Sequence, residues 1–182
     1  RPAYYPPNYW YAPEEALVGR MEEEYRRFVL RDHIWFVRGA LAQTGDPKGL
    51  VLDVGCGGGL FLAMLAEQGV RVAGIDFCLD AGIIAWRRNR VPAVCGTLSQ
   101  SPFAARSCTA VTMFHVLEHL YNPASYLEAP HELLKPDGRL IIQVPNAACW
   151  QFLLLGEHWS GVDIPRHLLN FRPADLEILL AH

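Results

Sequence analysis

Leu50-Val51-Leu52-Asp53-Val54-Gly55-Cys56-Gly57-Gly58-Gly59-Leu60 is the stretch that decides the fold. Five residues, apolar apart from Asp53, suit a strand buried on both faces of a parallel sheet, and the glycines that close it mark a tight turn. Leu60 to Gln68 then reads as a helix that stops at Gly69. The same alternation continues. Val70 to Ile75 reads as a strand, Leu79 to Arg90 as a helix, Val91 to Cys95 and Ala110 to Phe114 as strands. Asn122-Pro123 opens a helix to Leu134, Pro136-Asp137-Gly138 turns the chain, and Arg139 to Val144 is a fifth strand. Strands alternating with helices predict an α/β fold, a doubly wound, mostly parallel Rossmann-like sheet with helices on both faces.

Upstream, residues 1 to 13 interleave Pro2, Pro6, Pro7 and Pro13 with Tyr4, Tyr5, Tyr9, Trp10 and Tyr11, an extended aromatic arm in which proline forbids helix. From Pro13, Leu17, Met21, Tyr25, Phe28 and Trp35 recur near helical spacing, with Glu22–Arg26 and Glu23–Arg27 as supporting i,i+4 pairs. This predicts an amphipathic helix of about six turns. Residues 1–45 are therefore expected to form an N-terminal arm and helix serving as lid or cap, and residues 46–182 the sheet domain. Arg26, Arg27, Arg31 and Arg38 read as a solvated face because acids are interleaved with them.

The 182 residues carry 16 Lys plus Arg against 19 Asp plus Glu, a net charge of −3, which offers no electrostatic footprint for a nucleic-acid partner. Apolar residues make up 51% and charged ones 19%, a composition that folds. The longest strictly apolar run, Leu60 to Ala66, is far short of the roughly 18–20 residues of a membrane span, and no secretory leader is expected. Cys56, Cys78, Cys95, Cys108 and Cys149 are odd in number and widely spaced, which suits a reduced, cytoplasmic setting.

The glycine turn between a strand and a helix lets a ligand approach the backbone, and Asp76, ending the next strand, can accept both ribose hydroxyls of an adenosine cofactor. Leu60 occupies the position where the dinucleotide fingerprint wants its last glycine, and no Lys or Ser/Thr follows for a P-loop. Asp53 would repel a pyrophosphate but attract the ammonium of S-adenosylmethionine, which carries no phosphate. That cofactor is expected ahead of NAD and ATP.

Val51-Leu-Asp-Val-Gly-Cys-Gly-Gly-Gly59, Gly74-Ile-Asp76, His115-Val-Leu-Glu-His119 and Leu134-Lys-Pro-Asp-Gly-Arg-Leu-Ile-Ile142 resemble, in order, the motifs of class I S-adenosylmethionine-dependent methyltransferases. Pro145-Asn146 and the segment from Trp159 through Phe171 resemble the small-molecule branch grouped as types 11, 12 and 23. The resemblance implies that Gly55, Cys56 and Gly57 line the methionine portion, Asp76 holds the ribose and Phe77 flanks the adenine, with Phe114 and His115 closing over the methionyl end. Gly96-Thr97-Leu98 stands where many relatives have an adenine-binding Asp, so Thr97, Leu98 or their backbone must supply that contact. Cys108-Thr109 departs from the usual Phe-Asp and is expected to be a local structural change.

The acceptor side is expected to draw its catalytic residues from His119, His167 and Asp163, with His115 and Arg166 nearby. Bland roles compete with these: His119 capping or pairing with Glu118, and Asp163 with Arg166 as a loop-fixing ion pair; Trp150, His158 and Trp159 read equally as shaping an acceptor pocket or as core under a long loop. Glu118, His119 and His167 resemble part of the magnesium site of small-RNA 2′-O-methyltransferases, but His115 replaces an acid of that pattern. The set is too nitrogen-rich for magnesium, so no metal is expected.

The family fold usually ends in an antiparallel hairpin, before which this sequence stops, so an incomplete sheet with an exposed edge open to oligomerisation is expected. The function expected is methyl transfer to an oxygen or nitrogen of a small-molecule acceptor. The alternatives are a cofactor- or partner-binding module without turnover and a metal-assisted RNA 2′-O-methyltransferase.

Overall fold

The computed structural model describes residues 17–100, 102–159 and 161–181, so the aromatic arm and the expected helix start at Pro13 lie outside the described residues. The elements run α1 (Leu17–Ala42), β1 (Leu50–Val54), α2 (Leu60–Ala66), β2 (Arg71–Asp76), α3 (Leu79–Arg87), β3 (Ala93–Cys95), β4 (Cys108–Phe114), α4 (Pro123–Leu133), β5 (Leu134–Gln143), α5 (Trp150–Leu155) and α6 (Pro173–Leu180). Five strands form one sheet in the order β3-β2-β1-β4-β5, and every pairing is parallel. This is the expected doubly wound α/β fold. Strand order reverses between β1 and β4, which opens a crevice at their carboxyl ends. Among the described residues β3 and β5 are the edge strands.

Alternation along β1 explains why both faces are covered. Val51 joins Val37 and Leu41 of α1 and Phe61, Leu62 and Leu65 of α2 in one core. Leu52 and Val54 point the other way, into a core with Ile75, Val111, Met113, Leu117, Leu133 and Phe171. The i,i+4 pairs Glu22–Arg26 and Glu23–Arg27 form at 3.2 and 3.7 Å, and Arg27 also reaches Glu67, the C-cap of α2, at 3.2 Å.

Several boundaries depart from the sequence reading; α2 stops at Ala66 and β3 starts at Ala93, each two residues inside the expected span. Helix α3 stops at Arg87 instead of Arg90, and Arg90 takes a left-handed φ of 57°. Strand β4 starts at Cys108, because Thr109 is drawn inward by Asp46 and by Lys135, whose Nζ donates to Asp46 at 2.8 Å and to Thr109 at 3.1 Å. Strand β5 starts at Leu134, not Arg139. Cys108 pairs with Leu134 and Ala110 with Arg139, so the expected Pro136-Asp137-Gly138 turn is absorbed as a bulge inside the strand. Asn122 caps α4 as expected, its side chain accepting from Ser125 N–H at 3.2 Å.

The strands leave no room at Gly74, where a Cβ would run into the Sγ of Cys56 and sit 2.8 Å from its Cβ. Gly82, inside α3, faces open space. Gly74→Ala should therefore destabilise by about 1–3 kcal/mol, whereas Gly82→Ala should stabilise by about 0.5–1 kcal/mol. Urea unfolding of both variants checks this pair, and equal stabilities would contradict the packing described.

Candidate functional site

At the end of β1 the chain turns across the carboxyl end of β2: the N–H groups of Gly55 and Cys56 both donate to the Ile75 carbonyl, at 2.8 and 3.2 Å. Gly55 holds a left-handed φ of 74°, and a Cβ there would lie 2.9 Å from Val116. Glycine is thus required twice over, by conformation and by the closeness of the segment after β4. Asp76 closes the loop from the other side. Its Oδ2 accepts from Gly57 N–H at 2.9 Å and its Oδ1 from Cys78 N–H at 2.8 Å. Each oxygen keeps a further lone pair for a ligand hydroxyl.

Asp53 projects from β1 beside its register partner on β4, and Thr112 donates its hydroxyl to the carboxylate at 2.6 Å. Both carboxyls are buried, Asp53 being 5% and Asp76 2% exposed, yet among the described residues no ion pair reaches either. Burial pushes the Asp53 pKa up to about 7, with the Thr112 bond opposing the rise and the Asp76 charge adding to it. Burial raises Asp76 as well, against the two backbone bonds it accepts. The Cys56 thiol is raised by burial and by both acids, so it stays protonated. Two buried acids without a counter-cation, beside a loop whose glycines leave space at the backbone, suit a ligand that brings a cationic group and sugar hydroxyls.

The remaining residues expected at the cofactor lie as follows. Phe77, at the tip of β2, is 58% exposed and available to flank a flat ring. Thr97 Oγ1 lies 3.3 Å from Ser99 Oγ in the same turn. The Leu98 side chain is buried in the core, and its backbone is engaged by the Tyr126 hydroxyl. The Phe114 ring packs edge-on against His33 of α1 and Phe61 of α2, at 4.8 and 5.1 Å.

His115 ends β4 in a left-handed conformation, φ 56°, that places its Nδ1 3.2 Å from Glu118 Oε1. Glu118 is thus met by His115, a pairing that the sequence reading did not include. His119 Nδ1 lies 2.9 Å from the Arg166 carbonyl and His167 Nδ1 2.7 Å from the Gly161 carbonyl. The two rings stand 4.8 Å apart at 64°. They meet because the segment from Gly161 to Phe171 is strapped across the turn after β4: the N–H groups of Leu168 and Leu169 both donate to the Glu118 carbonyl, at 2.7 and 3.2 Å. Gly161 itself passes beneath the Trp159 ring, where a Cβ would collide. Asp163 is engaged by Arg166 at 2.6 Å, the loop-fixing ion pair. Trp150 is exposed, and Trp159 packs on Phe152 at 5.6 Å.

Sequence reasoning leaves out Thr112, the partner of Asp53. Its signal is one hydroxyl in the otherwise apolar run Ala110-Val111-Thr112-Met113-Phe114, at the register opposite the acid.

A family described as "Methyltransferase domain" matches residues 18–182. The chain belongs to it, within the class I S-adenosylmethionine-dependent methyltransferases, and S-adenosylmethionine is its cofactor. Among proteins it is similar to, a ubiquinone biosynthesis O-methyltransferase of Xylella fastidiosa is 34% identical over 151 residues, covering 72% of this chain and 58% of that protein. One from Glaesserella parasuis is 30% identical over 142 residues, covering 69% and 60% respectively. The chain thus spans about three fifths of the length of these relatives. The magnesium protoporphyrin IX methyltransferase of Synechocystis, solved with S-adenosylhomocysteine, superposes with a TM-score of 0.68 over 94% of this chain and 79% of that one, at 18% identity, a likeness of fold.

The acids make a pH-dependent prediction. Because the folded pKa of Asp53 lies above its ordinary 3.8, its contribution to stability is present at low pH and lost as pH rises through about 7. A ligand ammonium favours the ionised form, so affinity for S-adenosylhomocysteine should increase as pH rises through about 7, and binding near that pH should release protons. Titration calorimetry in buffers of different ionisation enthalpy measures both effects. Asp53→Asn should abolish the proton release, and a pH-independent wild type would contradict the assignment.

Proposed function

We propose that the protein transfers the methyl group of S-adenosylmethionine to a hydroxyl oxygen of a small-molecule acceptor. The observation that carries this reading is the meeting of His119 and His167 beside the buried Glu118, on the turn that packs against Gly55. The cofactor supplies a sulfonium methyl with a good leaving group. Asp53 receives its ammonium, Asp76 its ribose hydroxyls and Phe77 its adenine, while Gly55, Cys56 and Gly57 let the methionine portion rest on the backbone.

An oxygen nucleophile must lose a proton as the bond to carbon forms, which alignment alone does not accomplish. The two imidazoles lie where that need arises. With Nδ1–H donated to a backbone carbonyl, each neutral ring carries its lone pair on Nε2. The pair then holds the acceptor hydroxyl and eases loss of its proton. Asp163 acts by position, fixing the loop through Arg166 and accepting the His167 N–H at 2.7 Å on its carbonyl. The names of the relatives, O-methyltransferases of a small molecule, support an oxygen acceptor. The net charge of −3 argues against a nucleic-acid substrate. The absence, among the described residues, of any helix long and apolar enough to cross a membrane, together with five unpaired cysteines, accords with a reducing cytoplasm.

The test uses the full-length protein with methyl-labelled cofactor against matched hydroxyl and amine acceptors. Label on hydroxyl compounds is the expected outcome; label confined to amines or RNA, or none at all, overturns the reading. His167→Ala should lower turnover by about 10²- to 10⁴-fold while affinity for S-adenosylhomocysteine stays within a few-fold. Asp163→Asn should cost less, since its part is structural.

A further inference from the structure

We propose that the outward face of α1 is the contact between two copies of this chain, packed antiparallel about a twofold axis at Phe28. Assembly of this kind needs nothing from the reaction proposed above.

The two sides of α1 differ. Val37 and Leu41 are packed in the core with α2 and the sheet. On the opposite side Met21, Tyr25, Phe28 and Trp35 are between 66% and 78% exposed. Single apolar residues on a surface need no explanation, but these four are aligned. With Asp32 and Gly39 they fall at 21, 25, 28, 32, 35 and 39, a spacing that alternates four residues with three. That alternation is the seam along which one helix packs on another. Val29 and Phe36, also exposed, widen it on one margin. A Cβ at Gly39 would meet nothing within 4 Å, so the seam is open at that end too. A fully covered aromatic side chain buries about 150–250 Å², so the exposed parts of Tyr25, Phe28, Trp35 and Phe36 amount to roughly 100–150 Å² each. With Met21, two copies would cover on the order of 1,000–1,400 Å², enough for a specific interface.

Charge chooses the occupant and its direction. Between Leu17 and Ala42, five arginines are matched by four acids, so α1 lacks the basic excess of a helix that lies on a membrane. Glu24, Arg31 and Arg38 follow one another at seven-residue intervals along the second margin of the seam. Among the described residues neither Glu24 nor Arg31 is in an ion pair, and Arg31 stands over the Phe28 ring, 5.7 Å from its centroid. Two copies running in the same direction would set this margin against Val29 and Phe36, where the charges gain nothing. Reversed, like margins meet. Glu24 then faces Arg31 of the other copy, and symmetry makes the pair twice. The same register sets Phe28 against Phe28 on the axis and Met21 against Trp35. It also brings the Tyr25 hydroxyl, a donor, toward Asp32 of the other copy, the one acid in the seam.

The test is sedimentation equilibrium of the full-length protein over a wide concentration range. A monomer–dimer equilibrium is expected. Phe28→Glu should raise the dimer dissociation constant by about 30-fold or more. Glu24→Arg and Arg31→Glu should each weaken the dimer several-fold, and the two together should restore it, because opposite charges face each other again only if the copies run antiparallel. Circular dichroism and unchanged S-adenosylhomocysteine affinity show that the variants are folded, and Tyr25→Lys breaks the same seam should Phe28→Glu fail to fold. A monomer at every concentration overturns the proposal, whether it stays free or collects on anionic lipid vesicles. A dimer that both Phe28→Glu and Tyr25→Lys leave intact also overturns it and points to the strand edges. A dimer weakened by Phe28→Glu but not restored by the double charge exchange overturns the antiparallel arrangement.

Discussion

Parallel pairing of β1 with β2 on one side and with β4 on the other is the constraint from which the site follows. It sends the chain outward on both sides of β1 at the same edge, so the loops after three strands must share one small space. Gly55 can pass only because it lacks a side chain toward Val116, and Gly74 because it makes way for Cys56. Asp76 then ties the loop after β1 to the loop after β2 with two backbone bonds. The polar groups of the crevice are therefore held by the sheet and by glycine packing, with the Thr112–Asp53 and His115–Glu118 bonds added between side chains.

The two halves of the site solve different electrostatic problems. In the cofactor half, Asp53 and Asp76 are buried without cations, which costs the empty protein stability and favours a ligand that brings positive charge. On the turn after β4, the buried Glu118 lies near two imidazoles, each with Nδ1 directed at a backbone carbonyl. At the opposite edge of the sheet, Asp46, Thr109 and Lys135 form a network whose charges are paired. That contrast sets groups kept for a ligand apart from groups that only hold the fold.

Much of this was legible along the chain because its signals are local. The run Leu50 to Val54, the glycines after it and Asp76 about twenty residues on lie at contiguous or regularly spaced positions, and the period of the apolar residues separates strand from helix. Boundaries were less legible. The Pro136-Asp137-Gly138 signal is a genuine turn signal, yet pairing of Leu134 with Cys108 captures it as a bulge. Likewise α3 stops early where Arg90 turns left-handed, which helical periodicity does not reveal.

By itself, the sequence determined the order of strands and helices, the glycine turn after the first strand and the acid that ends the second strand, since each depends on neighbours a few residues away. Only the tertiary structure decided that Thr112 bonds Asp53, that His115 meets Glu118, and that His167 comes to rest against His119. Those pairings depend on sheet register, on one left-handed residue and on a strap that brings together segments about fifty residues apart. They arise from how the elements pack, and no local pattern encodes them.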